Sequence, residues 1–111
     1  MKLEELQINA RAAEGLLKSM ANQARLLILC ELLNGERTVT ELHEAVQLSM
    51  SAVSQHLARL REENVVATRR ESQTIYYSLA SVAVEKLLTT LHEIYCTPQD
   101  GDKLEEKECV K

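Results

Sequence analysis

The chain has 111 residues, 45% of them hydrophobic, which is the length of one domain and enough apolar surface for a packed core. Aromatics make up only 3% (Tyr76, Tyr77 and Tyr95), so the core is aliphatic, and three Gly and one Pro disfavour a loop-rich all-β fold. The formal charge of -4, from 13 Lys+Arg against 17 Asp+Glu, at first sight disfavours a nucleic-acid partner, and no apolar run approaches the roughly 20 residues of a membrane span.

The N-terminal segment lacks the apolar stretch of a secretory signal, so the expectation is a cytoplasmic protein with no membrane partner. Thiols stay reduced in that compartment, and Cys30, Cys96 and Cys109 are therefore not a structural disulfide framework. Leu3, Leu6, Ala10, Ala13, Leu17 and Met20 recur at spacings of three and four and predict a first helix over Leu3 to Met20. A second helix is predicted from about Asn22, an N-cap, to Leu33, with Leu26, Leu29, Cys30 and Leu33 as its apolar stripe and Asn34-Gly35 as its stop. Thr38 or Thr40 can cap a short third helix ending near Val46. After Gln47-Leu48-Ser49 a fourth helix runs from about Met50 to Glu63, with Val53, Leu57 and Leu60 facing one way and Ser51, Gln55 and Arg59 another. Asn64 suits a left-handed C-cap.

The period then changes. Residues 65–71 and 74–79 are rich in β-formers and flank Ser72-Gln73, which predicts a β-hairpin. Val82 to Cys96 is helical again, with Val84, Leu87, Leu88, Leu91, Ile94 and Tyr95 apolar, and Thr97-Pro98 ends it. Residues 1–97 thus read as one domain and 98–111 as a polar, disordered tail. The fold class is mostly α with a small hairpin, in the order α-α-α-α-β-β-α of a winged helix-turn-helix. So small a core cannot satisfy the apolar stripes of the first and last helices, which predicts a homodimer through those two helices; completion of a monomer core is the alternative.

A helix entering the major groove needs short donors and acceptors near its start, and Ser49, Ser51, Ser54, Gln55 and His56 meet that need. Gln55 can pair with the N6/N7 edge of adenine. Arg59 and Arg61 lie further along, better placed for phosphates. Arg69-Arg70, near the hairpin tip, suit a wing touching a minor groove or flanking phosphates. The bland counterparts are an amphipathic surface helix with a Ser-rich start and an edge strand protected by charge. Over residues 49–71, Arg59, Arg61, Arg69 and Arg70 stand against Glu62, Glu63 and Glu71, a net +1. From Thr97 on, Lys103, Lys107 and Lys111 stand against Asp100, Asp102, Glu105, Glu106 and Glu108, a net -2. The acidic excess lies away from the reading surface. His43, His56 and His92 have no nucleophile or carboxylate at a motif spacing, and there is no Gly-rich phosphate loop, so neither an enzyme nor a cofactor is expected.

Ser49-x-Ser51-x-x-Ser54-x-His56-Leu57-x-x-Leu60-Arg61, followed by Val65-Val66 and Ile75-Tyr76-Tyr77-Ser78-Leu79, resembles the ArsR/SmtB family of bacterial repressors. Leu16-Leu17-Lys18-x-Met20-Ala21-Asn22-x-x-Arg25-Leu26-x-Ile28-Leu29 is similar too, and the likeness spans about residues 10 to 96. It implies a homodimeric winged-helix factor that binds double-stranded operator DNA under control of an inducer. Arsenic-type members carry a Cys pair in the third helix, where this chain has Glu41-Leu42-His43-Glu44-Ala45. Zinc-type members carry Asp and His along the last helix, where this chain has Glu85, His92 and Glu93 at other spacings. Both patterns are broken, and no metal site is expected; a metal-responsive repressor using Cys30, Cys96 or His92 is the lesser alternative.

Cys30 in Ile28-Leu29-Cys30-Glu31-Leu32-Leu33 and Cys96 in Leu91-His92-Glu93-Ile94-Tyr95-Cys96 instead resemble the family's dithiol subgroup. That resemblance implies a sensor pair for reactive sulfur species, persulfides and polysulfides, or a redox switch. His92, one turn before Cys96, could stabilise a thiolate, the form that attacks sulfane sulfur. On residue chemistry alone, Cys30 reads equally as a small core hydrophobe and Cys96 as an incidental thiol. Cys109 matches no family position. The alternative role within the subgroup is a redox-sensitive activator that lifts silencing of virulence genes.

Overall fold

The computed structural model describes residues 2–96, as α1 (Leu3–Met20), α2 (Gln23–Leu32), α3 (Val39–Val46), α4 (Met50–Glu62), β1 (Val66–Glu71), β2 (Thr74–Leu79) and α5 (Val82–Cys96). The order is that expected of a winged helix-turn-helix. The domain limit at residue 97 and the tail beyond it lie outside the described residues.

Local chemistry sets the helix boundaries. Asn22 Oδ1 accepts the Arg25 N–H at 3.0 Å and starts α2. Thr38, not Thr40, starts α3: its Oγ1 accepts the Glu41 N–H at 3.1 Å, while Glu41 Oε1 accepts the Thr38 N–H at 2.9 Å, a reciprocal capping box. Ser49 Oγ accepts the Ala52 N–H at 3.0 Å and starts α4. At the far end of α4, Asn64 is left-handed (φ 63°), its N–H donates to Arg61 O at 3.0 Å, and Val65 N–H donates to Leu60 O at 2.9 Å. Those two bonds form a Schellman motif, and Leu60 and Val65, both buried, supply its apolar contact.

The core lies where α2, α3, α4 and α5 meet the root of the hairpin. Ile28, Leu29, Leu42, Val53, Leu57, Leu60, Val84 and Leu88 are fully enclosed, with Met20, Leu32, Val65 and Val66 around them. β1 and β2 pair antiparallel, with Val66 opposite Leu79 and Glu71 opposite Thr74. Ser72 makes the turn at φ 62°. On its other edge β2 meets the α2–α3 loop: Arg37 N–H donates to Tyr77 O at 3.0 Å and Tyr77 N–H donates to Arg37 O at 2.8 Å. The hairpin is thus anchored to the segment that enters the helix-turn-helix.

The predicted stripe of α2 is rotated. Its buried face is Ile28, Leu29 and Leu32, while Cys30 and Leu27 are exposed on the single chain. Nearly every residue from Leu26 to Leu33 is apolar, so periodicity alone cannot phase this helix; the packing of α3 and α4 on one side decides it.

Candidate nucleic-acid interface and thiol pair

α3 and α4 are joined by a turn in which Gln47 is left-handed (φ 60°) and donates its N–H to His43 O at 3.0 Å. His43 Nδ1 donates to the Leu48 carbonyl, closing the turn from the side chain. Three fully buried anchors, Val53, Leu57 and Leu60, seat α4. That phase leaves Ser51, Ser54, Gln55 and Arg59 exposed and His56 half-buried at the flank. The Ser49 oxygen is engaged in capping, so only its hydroxyl proton remains to donate. The row of short polar groups expected from the sequence is brought onto one accessible face.

A network unanticipated by the sequence holds the end of α4. Ser19 Oγ, at the end of α1, donates to Glu63 Oε1 at 2.7 Å, and Arg25 Nη1 lies 3.8 Å from that oxygen while donating to Ser19 O at 3.2 Å. Residues 19, 25 and 63 come from three segments with no local signature linking them, so only the fold reveals the cluster.

The two wing arginines differ. Arg69 donates from Nε and Nη2 to the two carboxylate oxygens of Glu36 (2.9 and 2.8 Å) and from Nη1 to Glu71 (2.9 Å). Its guanidinium also lies 4.6 Å from the Tyr76 ring centroid. The Arg69 hydrogen bonds hold the Glu36 carboxyl below the usual carboxylate range, and hydrogen bonds to Glu36 and then Glu71 hold the Arg69 guanidinium even more firmly protonated. Arg70 Nε donates to Ser72 O at 3.2 Å, and among the described residues its Nη groups meet no acceptor. The wing offers one uncommitted guanidinium where the sequence suggested two.

Cys30 is a free thiol on the outer face of α2. Partial burial of the thiol, and secondly the neighbouring Glu31 carboxylate, push its pKa up. Glu31 in turn lies 3.8 Å from Arg37 Nε. Cys96 ends α5, but its side chain falls outside the described residues, as does Cys109. His92 is exposed.

A helix-turn-helix with a hairpin wing, an anchored reading helix and a polar outer face defines a DNA-binding transcriptional regulator rather than an enzyme. A family model described as "Bacterial regulatory protein, arsR family" matches residues 22–68, from the start of α2 into β1. The chain is 49% identical over 96 residues to the transcriptional activator HlyU of Vibrio cholerae, covering 86% of this chain and 89% of that one. The solved structure of reduced HlyU from that organism superposes with a TM-score of 0.81 at 48% identity, over 86% of this chain and all of that one. The transcriptional repressor BigR of Xylella fastidiosa gives 0.79 at 33% identity, over 87% and 99%. A homodimeric winged helix-turn-helix fragment from Mycobacterium bovis gives 0.69 at 28% identity, over 85% and 86%. The chain belongs to the ArsR family of bacterial regulatory proteins, in the group of its HlyU-like and BigR-like members.

Proposed function

We propose that this regulator is a homodimeric repressor whose Cys30–Cys96 pair senses reactive sulfur species and lowers operator affinity. The observation that carries the DNA reading is the phase of α4: three enclosed anchors turn Ser51, Ser54 and Gln55 outward together. In this reading those three and His56 meet base edges, while Ser49, Arg59 and Arg70 meet phosphates. The exposed apolar side chains of α1 and α5 supply the dimer surface, in keeping with the M. bovis neighbour described as homodimeric.

The sulfur chemistry balances without an added oxidant. A Cys thiolate attacks a sulfane sulfur of a polysulfide and expels a shorter polysulfide, leaving a sulfur chain on the protein. The second thiolate attacks that chain and expels hydrosulfide, leaving a bridge between α2 and α5. Such a bridge would join the core helix carrying Cys30 to the proposed dimer helix and change the spacing of the two reading helices. Support comes from the exposure of Cys30, the position of Cys96 at the end of α5 and the likeness to HlyU, solved in a reduced form.

The test starts from a duplex enriched by the protein out of a random-sequence pool, followed by anisotropy titrations with reduced, polysulfide-treated and peroxide-treated protein. Polysulfide is expected to release the duplex from the wild type and not from Cys30→Ser or Cys96→Ser, both of which still bind when reduced. Full release from both variants would sink the sensor pair. Because the HlyU relative is named an activator, a second reading has this chain lift silencing instead. In vitro transcription with and without a nucleoid-coating protein separates the two: a repressor lowers transcript from bare template, whereas an antisilencer acts only on coated template.

A further inference from the structure

We propose that Arg69 is a positioning residue of the wing, clamped by Glu36 of the α2–α3 loop, and that Arg70 alone carries the wing's contact with the DNA backbone. The proposal rests on the DNA-binding reading above and divides a charge pair that the sequence presents as equivalent.

Side chains alternate along a strand, so Arg69 and Glu71 share one face of β1 and Arg70 takes the other. On the first face Arg69 meets Glu36, Glu71 and the Tyr76 ring directly across the ladder. Three of its N–H groups are engaged, and the cluster of one arginine with two glutamates carries a net negative charge. A phosphate approaching that face meets repulsion rather than attraction. On the second face Arg70, one residue from the end of β1, spends only Nε, on the Ser72 carbonyl, and its Nη groups meet no acceptor among the described residues.

The Glu36 clamp has a structural purpose as well. Glu36 is 33 residues from Arg69 and adjacent to Arg37, whose backbone exchanges two hydrogen bonds with Tyr77. The wing is therefore tied to the entrance of α3 twice, through a backbone pair on β2 and a two-pronged carboxylate–guanidinium pair on β1. A fork of this kind fixes orientation even where its surface location makes it energetically modest. In the protein without DNA the fork presets the angle between wing and reading helix, so Arg70 needs no reorientation on binding.

Two measurements on the full chain test the division of labour. The first is the slope of log K against log salt for a 30-base-pair duplex enriched by the wild type. Arg70→Gln should flatten that slope by about 0.9 for each bound copy of the chain. Arg69→Gln should leave the slope unchanged while lowering affinity by a constant factor across the salt series, because the untied wing still reaches the backbone through Arg70 and loses only its preset angle. Arg69→Lys should behave like Arg69→Gln, because an ammonium cannot fork onto Glu36. The double variant Glu36→Gln/Glu71→Gln frees Arg69 and should steepen the slope. The second measurement is amide hydrogen exchange at Arg37 and Tyr77 in the protein without DNA: Arg69→Gln and Glu36→Gln should accelerate it and Arg70→Gln should not. Equal flattening of the slope by Arg69→Gln and Arg70→Gln, or exchange unchanged by Glu36→Gln, overturns the proposal. Failure of the wild type to enrich any duplex overturns the DNA-binding reading and Arg70's role with it, while the exchange data still judge the clamp.

Discussion

Sulfane sulfur is attacked by thiolate, and Cys30 is held away from that form. Burial and the Glu31 carboxylate both disfavour its negative charge, burial more strongly. At neutral pH its thiolate fraction therefore lies below that of an ordinary thiol, whose pKa is about 8.5. In the proposed two-cysteine reaction this suits Cys30 to the second attack, with Cys96, four positions after His92 in the sequence, beginning it. Iodoacetamide labelling of Cys30 in a Cys96→Ser/Cys109→Ser background should show a midpoint above the ordinary value. Glu31→Gln should lower that midpoint without normalising it, since the larger cause is burial. A midpoint near or below neutrality would reverse the assigned order of attack. Glu36 shifts the other way. Its carboxyl is depressed by Arg69, so the wing clamp stays complete above the pH where a free Glu titrates, about 4.3, and is lost only as pH falls through the lower folded value. Exchange at Tyr77 followed from pH 6 down to pH 3 should show protection persisting below 4.3.

At the scale of elements, much of the architecture was legible because single residues punctuate it. Asn22 and Thr38 cap, Asn64 ends α4 in the left-handed region, and Ser72 turns the hairpin, all positions that short-range chemistry marks in the sequence, whereas the Ser49 cap of α4 emerges only from the fold. The phase of α4 was legible too, since Val53, Leu57 and Leu60 are the only large apolar side chains after its first residue. The phase of α2 was not, because its surface is apolar nearly all round. Nor was the Glu36–Arg69 clamp, which depends on the hairpin folding back 33 residues later. The punctuation is open to test by chemical denaturation. Thr38→Ala removes one arm of the capping box and should cost about 1 kcal/mol. Asn64→Ala forces a Cβ without a compensating side chain into the left-handed region and should cost about 1–2 kcal/mol, while Asn64→Gly should be neutral or slightly stabilising. Ser72→Gly should stabilise for the same reason. An Asn64→Ala protein as stable as the wild type would mean that the α4 terminus rearranges rather than keeping its Schellman bonds.

For the molecule as a whole, charge and exposed apolar surface point the same way. In the proposed dimer the formal charge of -4 per chain doubles to -8, which long-range electrostatics keep away from DNA. Binding by that dimer would come from close, oriented contacts repeated on two half-sites about 34–36 Å apart, so a single copy should bind far more weakly than half as well. The surface available for pairing is visible: Leu6 and Leu17 on α1 are 49% and 54% exposed, and Ile94 and Tyr95 on α5 are 57% and 75% exposed. Both helices thus carry large apolar side chains on their exposed surface, alongside charged ones. Leu6→Asp/Leu17→Asp places two charges on the α1 stripe without touching a core side chain. The double variant should keep the wild-type circular dichroism spectrum, sediment as a monomer where the wild type sediments as a dimer, and lose measurable affinity for the enriched duplex. A variant that still sediments as a dimer would remove α1 from the interface. A monomer that binds as tightly as the wild type would show that one reading helix and one wing suffice, and would end the requirement for paired half-sites.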